Sequence, residues 1–225
     1  MPLDPSRIQA ICFDVDGTLR DTDYQYALRF ERMIRPLRFL LPGRDERHFA
    51  RRFVMWAEGP GNALLGVPDQ LHLDDGLARF TDWLHHRLPR RKQHEFILIP
   101  GTVEMLESLK GRYKLAVVSA RSKRGTMAFL DGFGLTPFFD AIATAQTTVR
   151  TKPFPDPVIW AAEAMGVAPA DCVRVGDTLV DLRAGRAAGA QTVGVLCGFG
   201  EREELHSAGP DEILASTPEL AGLLN

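Results

Sequence analysis

The sequence contains few cysteines and no long apolar run. Cys12, Cys172 and Cys197 are an odd number of widely spaced residues in a chain of 225, which favours buried reduced thiols over a disulfide framework or a zinc site. No apolar stretch approaches the roughly 18 residues that a membrane helix needs. Residues 1–9 lack the apolar core of a signal peptide. We therefore expect a cytoplasmic protein that does not enter a membrane.

The sequence also has little net charge. A formal charge of −2 argues against obligate binding to nucleic acid. The charge is uneven, because residues 20–92 carry +4 and the remainder carries −6. A basic segment over an acidic core would suit a small anionic substrate, although surface charge of this size often serves only solvation.

The most informative stretch is the apolar run of residues 8–13, which is followed by Asp14, Asp16 and Gly17. A short apolar run bounded by a turn signal is typical of a strand buried on both faces of a parallel sheet. Both aspartates then follow its carboxyl end, where open α/β sheets bind ligands. Gly17 allows the sharp turn that this placement requires.

Two carboxylates so close together repel each other, so a site that keeps both usually holds a cation or shares a proton. Magnesium is the natural candidate, because it prefers oxygen ligands and often joins carboxylates to phosphate. A carboxylate can also attack phosphorus and form an aspartyl-phosphate. The alternative interpretation of Asp14 and Asp16 is a solvated turn with two capping aspartates.

The rest of the chain predicts an α/β core and a helical insert. From residue 100 onward, helical patterns alternate with short apolar strands at residues 114–119, 141–143, 172–175 and 191–195. This alternation predicts a doubly wound, mostly parallel Rossmann-like sheet. Residues 21–96 show helical patterns and no convincing strand, which predicts a small all-helical cap inserted after the first strand. The core would then comprise residues 1–20 and 97–225.

Four later polar residues fall where such a sheet makes them useful, and three of them also have an ordinary explanation. Ser119 ends a predicted strand and could bind a phosphate oxygen, but a lone serine is more often a helix cap. Lys152 lies in a proline-rich segment that could aim it inward, although an isolated lysine is usually exposed. Asp177 follows another strand. Asp181 lies in the first turn of a predicted helix, where an anion is favoured as a cap.

Together these positions resemble the four ordered motifs of the haloacid dehalogenase superfamily. The motifs are residues 14–18 (DVDGT), Ser119, Lys152-Pro153 and residues 176–181 (GDTLVD). The resemblance spans essentially the whole chain, and the predicted insert is similar to that family's small cap. Pro100-Gly101, the KPFPDP string at residues 152–157 and the AGRAAGA run at residues 184–190 are most similar to the phosphoglycolate phosphatase-like branch.

The resemblance implies the roles of the catalytic residues. Asp14 would be the nucleophile and a Mg²⁺ ligand. Asp16 would act as general acid and then general base, and its backbone carbonyl would also bind the metal. Lys152 would bind the transferring phosphoryl group and ease its repulsion by Asp14.

The remaining implied roles concern the metal and the phosphate. Asp177 would complete the protein ligands to Mg²⁺, with Asp181 and Thr18 supporting them. Ser119 and the backbone of Ala120 would bind phosphate. The sequence departs from the family pattern at Ala120-Arg121, where relatives often carry a small polar residue. We expect Arg121 to face solvent rather than contact substrate.

The resemblance implies a magnesium-dependent phosphatase that acts on a small phosphorylated metabolite, such as a phosphoglycolate-like compound or a sugar phosphate. A phosphosugar mutase uses the same core motifs and stays an alternative, as does a phosphoester-binding protein without turnover. A dehalogenase is disfavoured by Asp16. A phosphonate hydrolase is disfavoured because no lysine occurs in residues 20–91. The protein could be a monomer or a homodimer.

Overall fold

The computed structural model describes residues 2–21 and 96–224. The predicted helical cap falls almost entirely outside these residues. Among the described helices, none has the length and apolar character that crossing a membrane requires.

The sheet is organised around β1, Ala10–Phe13, whose four residues are all buried. It pairs in parallel with β2, Lys114–Val118, on one side and with β4, Cys172–Gly176, on the other. A strand that is paired on both edges and covered on both faces keeps its side chains away from water, which favours the uniformly apolar sequence of β1.

The other strands of the described sheet are β3 at Ala141–Ala143, β5 at Gln191–Val195 and β6 at Glu212–Leu214. All six strands are parallel and lie in the order β3-β2-β1-β4-β5-β6. After β1, the chain adds β2 and β3 on one side of it and then β4, β5 and β6 on the other side. A crevice opens at the carboxyl ends of the strands where the order switches in this way, between β1 and β4. The fold therefore locates a ligand site at the ends of β1 and β4.

Helices cover both faces of this sheet, as a doubly wound fold requires. They are α1 at Thr102–Leu109, α2 at Lys123–Gly132, α3 at Asp156–Met165, α4 at Leu179–Ala187, α5 at Arg202–Ser207 and α6 at Leu220–Leu223. Ile11 and Phe13 of β1 belong to the buried cluster that contains residues of α1, α2 and α6. Ala10 and Cys12 belong to the cluster that contains residues of α3 and α4. Alternate residues of one strand thus serve opposite layers.

The predicted α/β fold class is confirmed, and the bounds of β3 and β5 agree with the sequence patterns. The first strand begins at Ala10 rather than Ile8, because a 3-10 turn at Pro5–Arg7 precedes it and Gln9 is exposed. The sequence patterns missed α5, β6 and α6. All three are short, and the residues of β6 are all half-buried, so this strand lacks the alternation that marks a strand.

The chain leaves and re-enters the described core at adjacent positions. Arg20 and Leu98 form an antiparallel bridge. The amide of Asp21 donates to the carbonyl of Ile97 at 2.8 Å, and the amide of Ile99 donates to the carbonyl of Leu19 at 3.0 Å. This pairing lies close to the predicted boundaries between core and insert, which themselves remain predictions.

All three cysteines are free, as predicted. Cys12 and Cys172 are buried in β1 and β4, whereas Cys197 is only half-buried.

We predict that Leu106→Ala lowers the free energy of unfolding by about 2–5 kcal/mol, because it leaves a cavity under the sheet. Leu106 is fully buried in α1. Urea denaturation measures the effect. Glu107→Ala changes the neighbouring exposed residue and should alter the free energy by no more than about 0.5 kcal/mol. Equal effects of the two substitutions would contradict the described packing.

Candidate active site

A cavity of about 150 Å³ lies at the carboxyl edge of the sheet. Asp14, Ser119 and Asp177 each directly follow a strand that ends at this edge. The cavity is lined by Asp14, Asp16, Ser119, Ala120, Arg121, Lys152, Asp177, Thr178, Val180 and Phe199. The structure therefore brings together the predicted residues from all four motifs, while Asp181 and Thr18 lie behind the lining.

A larger cavity of about 670 Å³ lies at the opposite edge of the sheet. Its lysine side chains have partners within the protein: Lys110 donates to the carbonyl of Pro137, and Lys114 pairs with Asp140 at 3.1 Å. No group of three metal-binding side chains occurs there among the described residues. Size alone does not identify a reactive site. The predicted site residues Asp14, Lys152 and Asp177 line the smaller cavity.

Two glycines allow the Asp177 carboxylate to reach the turn after β1. Gly17 has a φ of 74°, and a Cβ at Gly17 or at Gly198 would collide with the Asp177 carboxylate. The amide of Phe199 donates to Asp177 Oδ2 at 2.8 Å, and Thr18 Oγ1 lies 3.5 Å from Oδ1. Glycine in the first motif is therefore needed for close approach as well as for the turn.

Lys152 is 6% exposed and lies between two carboxylates. Its Nζ donates to Asp14 Oδ1 at 2.7 Å and to Asp181 Oδ1 at 2.6 Å. Burial by itself would lower the pKa of Lys152, but the charges of Asp14 and Asp181 raise it above the ordinary value. The ammonium group is therefore a permanent cation beside the Asp14 carboxylate.

Asp181 combines the two roles that the sequence left open. Its Oδ2 accepts from the amide and the hydroxyl of Thr178, at 3.2 and 2.6 Å, which caps the start of α4. Its Oδ1 accepts from Lys152 and Arg174. Burial opposes ionisation, but these two cations hold the pKa of Asp181 well below its usual range.

Arg174 is a site residue that the sequence analysis missed. It is fully buried, and its Nη2 donates to Asp181 Oδ1 at 2.6 Å and to the carbonyl of Val118 at 2.9 Å. Its Nη1 donates to the carbonyl of Cys12 at 3.2 Å. An arginine within the otherwise apolar strand CVRVG was the available signal, because a buried cation requires a partner.

The Asp16 side chain does not belong to the cluster of carboxylates that Asp14, Asp177 and Asp181 form, and it binds two arginines. Arg20 Nη1 donates to Asp16 Oδ1 at 2.9 Å, and Arg121 Nη1 lies 2.7 and 2.8 Å from Oδ1 and Oδ2. The prediction that Arg121 faces solvent is therefore wrong. No sequence pattern indicated which carboxylate this long side chain would reach, since Asp16 lies 105 residues away.

Ser119 is buried and lines the cavity. Its hydroxyl accepts from the amide of Arg121 at 3.2 Å. The alternative that Ser119 caps a helix is wrong, because Ser122 caps α2 by accepting from the amide of Gly125.

Carboxylate oxygens of Asp14, Asp177 and Asp181 lie within 4.8 Å of one another. A buried set of oxygen donors fits Mg²⁺. Asp181 is already bound by two cations, Lys152 and Arg174, so Asp14 and Asp177 are the better candidates to bind a metal directly. Burial is the largest influence on Asp14 and raises its pKa to about 6 in spite of Lys152. A divalent cation would favour the ionised form of this carboxylate.

We predict that Arg174→Met lowers the free energy of unfolding by about 3–5 kcal/mol, because it breaks a buried ion pair. Combining it with Asp181→Asn should cost at least about 0.5 kcal/mol less than the sum of the single changes, since the residues share one interaction. Urea denaturation of the four proteins tests this. Arg183→Met removes an exposed arginine of α4 and serves as the control. Strictly additive costs would show that the pair is not coupled.

Comparison with known proteins places this geometry in a family. The profile of the haloacid dehalogenase-like hydrolases matches residues 11–195. A phosphoglycolate phosphatase of Aquifex aeolicus is 31% identical over 220 residues, 97% of each chain. A pyrophosphatase PpaX of Bacillus pumilus is 28% identical over 226 residues, 99% of each chain. A solved hydrolase structure from Pseudomonas syringae is 26% identical, with a TM-score of 0.68 over 96% of this chain and 97% of that one. The chain therefore belongs to the haloacid dehalogenase-like hydrolases.

Proposed function

We propose that this protein is a Mg²⁺-dependent phosphatase that hydrolyses a small phosphorylated metabolite through an aspartyl-phosphate. The observation that carries the proposal is the contact between Lys152 and Asp14 at the wall of a cavity that also contains Asp16, Ser119 and Asp177. The relatives named phosphoglycolate phosphatase and pyrophosphatase support the same class of small anionic substrate.

Asp14 acts as the nucleophile. Its Oδ1 accepts from Lys152, whereas its Oδ2 has no donor among the described residues. A carboxylate oxygen of Asp14 forms a bond to phosphorus as the bond from phosphorus to the leaving oxygen breaks. The Lys152 cation lowers the repulsion between the carboxylate and the incoming dianion.

Asp16 transfers protons in both half-reactions. In the first it donates a proton to the leaving oxygen. In the second it accepts a proton from the water that attacks the aspartyl-phosphate, which releases inorganic phosphate and restores the Asp14 carboxylate. Its side chain lines the cavity without joining the acidic cluster, so it is separate from the nucleophile.

The phosphoryl group is held by Lys152 and by the loop after β2, through the Ser119 hydroxyl and the Ala120 amide. Bound Mg²⁺ supplies positive charge beside the transferring oxygens. Asp14, Asp177 and the backbone carbonyl of Asp16 would hold the ion. Thr18 and Asp181 support that set from behind.

Charge counting supports a dianionic substrate. Four carboxylates in and behind the cavity face four cations: Asp14, Asp16, Asp177 and Asp181 against Lys152, Arg174, Arg20 and Arg121. The side chains are thus nearly neutral together, and one divalent cation leaves an excess of about two positive charges, which matches a phosphoryl dianion.

We predict that Asp14→Asn reduces phosphate release from p-nitrophenyl phosphate by about 10³-fold or more, because it removes the nucleophile. Chelation of Mg²⁺ should abolish the wild-type activity. The assay measures released phosphate and, with a hexose 1-phosphate, isomerisation. Activity that persists in chelator or in Asp14→Asn would refute the mechanism, and isomerisation without phosphate release would identify a mutase.

Mg²⁺ should stabilise the fold more at about pH 7.5 than at about pH 5, because the ion and a proton compete for Asp14. The folded pKa of Asp14 is about 6, above its ordinary 3.8. Protonation of Asp14 therefore makes its full contribution to the free energy of unfolding below pH 3.8, and this contribution is lost as the pH rises through about 6. Stabilisation by the ion should grow over that interval.

Thermal unfolding with and without Mg²⁺ at the two pH values measures this difference. Asp177→Asn should lose the metal effect, and Glu107→Gln, an exposed carboxylate of α1, should keep it. Equal stabilisation at both pH values would contradict the involvement of Asp14.

A cytoplasmic location and a monomeric or homodimeric state remain part of the proposal.

A further inference from the structure

Arg121 occupies the rim of the cavity with part of its guanidinium group available. The side chain is 27% exposed, whereas that of Arg20, which also bonds to Asp16, is 3% exposed. Only Nη1 of Arg121 bonds to Asp16, and Nε and Nη2 have no acceptor among the described residues. Three of the five N–H donors of this cation, one on Nε and two on Nη2, therefore remain for a ligand.

Arg121 is also held close to the phosphate-binding loop by its own backbone. Its amide donates to Ser119 Oγ, and its carbonyl accepts from the amide of Ala145 at 2.9 Å. The guanidinium lies against Gly125 at the start of α2, where a Cβ would be 3.5 Å from Nε. The main chain thus fixes the base of this side chain, while its tip faces the cavity.

Distances limit what Arg121 can reach. Arg121 Nη1 is 2.7–2.8 Å from the Asp16 carboxylate oxygens. An oxygen that receives a proton from Asp16 must lie about 2.6–3.2 Å from the same carboxylate. The Arg121 guanidinium and the leaving oxygen therefore both contact the Asp16 carboxylate and lie close to each other. A group one or two bonds beyond the leaving oxygen falls within reach of Arg121.

We propose that Arg121 determines substrate specificity by binding a second anionic group, either a carboxylate or a phosphoryl group, one or two bonds beyond the leaving oxygen. The inference rests on the proposed phosphatase function and adds the class of leaving group to it. A planar guanidinium binds either anion through paired hydrogen bonds. Substrates with a neutral leaving group offer Arg121 no such partner.

Arg20 makes this role compatible with catalysis by Asp16. When Arg121 turns toward a substrate anion, Arg20 still donates to Asp16 Oδ1 at 2.9 Å. It is fixed by the stacking of its guanidinium on Phe96, 4.7 Å from the ring centroid. Asp16 thus keeps one charged partner, and Arg121 is not needed to hold it in place.

Two matched substrates test the proposal. Phosphoglycolate and ethyl phosphate have the same chain length and differ in the terminal carboxylate. The quantity measured is the ratio of their kcat/KM values. Arg121→Gln should lower this ratio by about 10- to 100-fold, the usual effect of losing a charge-assisted hydrogen bond. Arg121→Lys should restore part of it.

Pyrophosphate compared with ethyl phosphate provides the second arm and distinguishes a phosphoryl partner from a carboxylate. A selective loss in either arm supports the proposal. Arg124→Gln removes an exposed arginine from α2, three residues beyond Arg121, and controls for bulk charge, so its ratio should stay at the wild-type value. Arg121→Gln ratios within threefold of wild type in both arms would overturn the inference, as would an equal loss with all substrates, which would mean that Arg121 acts only through Asp16.

Binding measurements separate this inference from the proposed reaction. Calorimetry on Asp14→Asn with Mg²⁺ gives dissociation constants without turnover. Phosphoglycolate or pyrophosphate should bind at least about tenfold more tightly than ethyl phosphate, and Arg121→Gln in that background should remove the difference. Retained turnover in Asp14→Asn refutes the phosphatase mechanism alone. Equal binding of the anionic and neutral esters refutes the role of Arg121 alone.

Discussion

The buried contact between Lys152 and two carboxylates is the constraint on which the site depends. Transfer of these charges from water is costly, and the cost is offset only when each charge has close partners. Lys152 lies 138 residues from Asp14 and 29 from Asp181, and it joins the end of β1 to the start of α4. Arg174 adds a second cation from within the sheet, so that Asp181 is fully bonded. The contacts that join the end of β1 to the start of α4 are therefore the same contacts that position Lys152 beside Asp14.

The difference between the two faces of β1 serves this charge cluster. Cys12 is the register partner of Arg174, and both lie on the face that carries alanines rather than large side chains. Small neighbours leave room for the arginine to run along the sheet toward the carboxyl edge. Gly185 of α4 is required by the same arrangement, since a Cβ there would lie 2.6 Å from Arg174 Cβ. Packing of small residues on this face thus allows the Arg174 guanidinium to reach Asp181.

Asp14 and Asp16 differ because of their surroundings. Asp14 is buried beside Lys152 and has a raised pKa of about 6 in the absence of a metal. Asp16 is 22% exposed and binds two arginines, Arg20 and Arg121. Two residues of one type, separated by a single position, thereby gain different partners and different access to solvent. This separation is what a nucleophile and a proton-transfer group require.

The strand-turn pattern and the alternating α/β core could be predicted from the sequence, because apolar periodicity and glycine turns are local properties of the chain. The sequence also indicated that Asp14, Ser119 and Asp177 would meet, since the carboxyl ends of parallel strands share an edge, whereas Lys152 was added by the resemblance to the family. The partners of the arginines were decided by tertiary structure alone. A long side chain binds whichever carboxylate comes within reach, and for Arg121 that carboxylate lies 105 residues away. Only the folded sheet supplies that proximity.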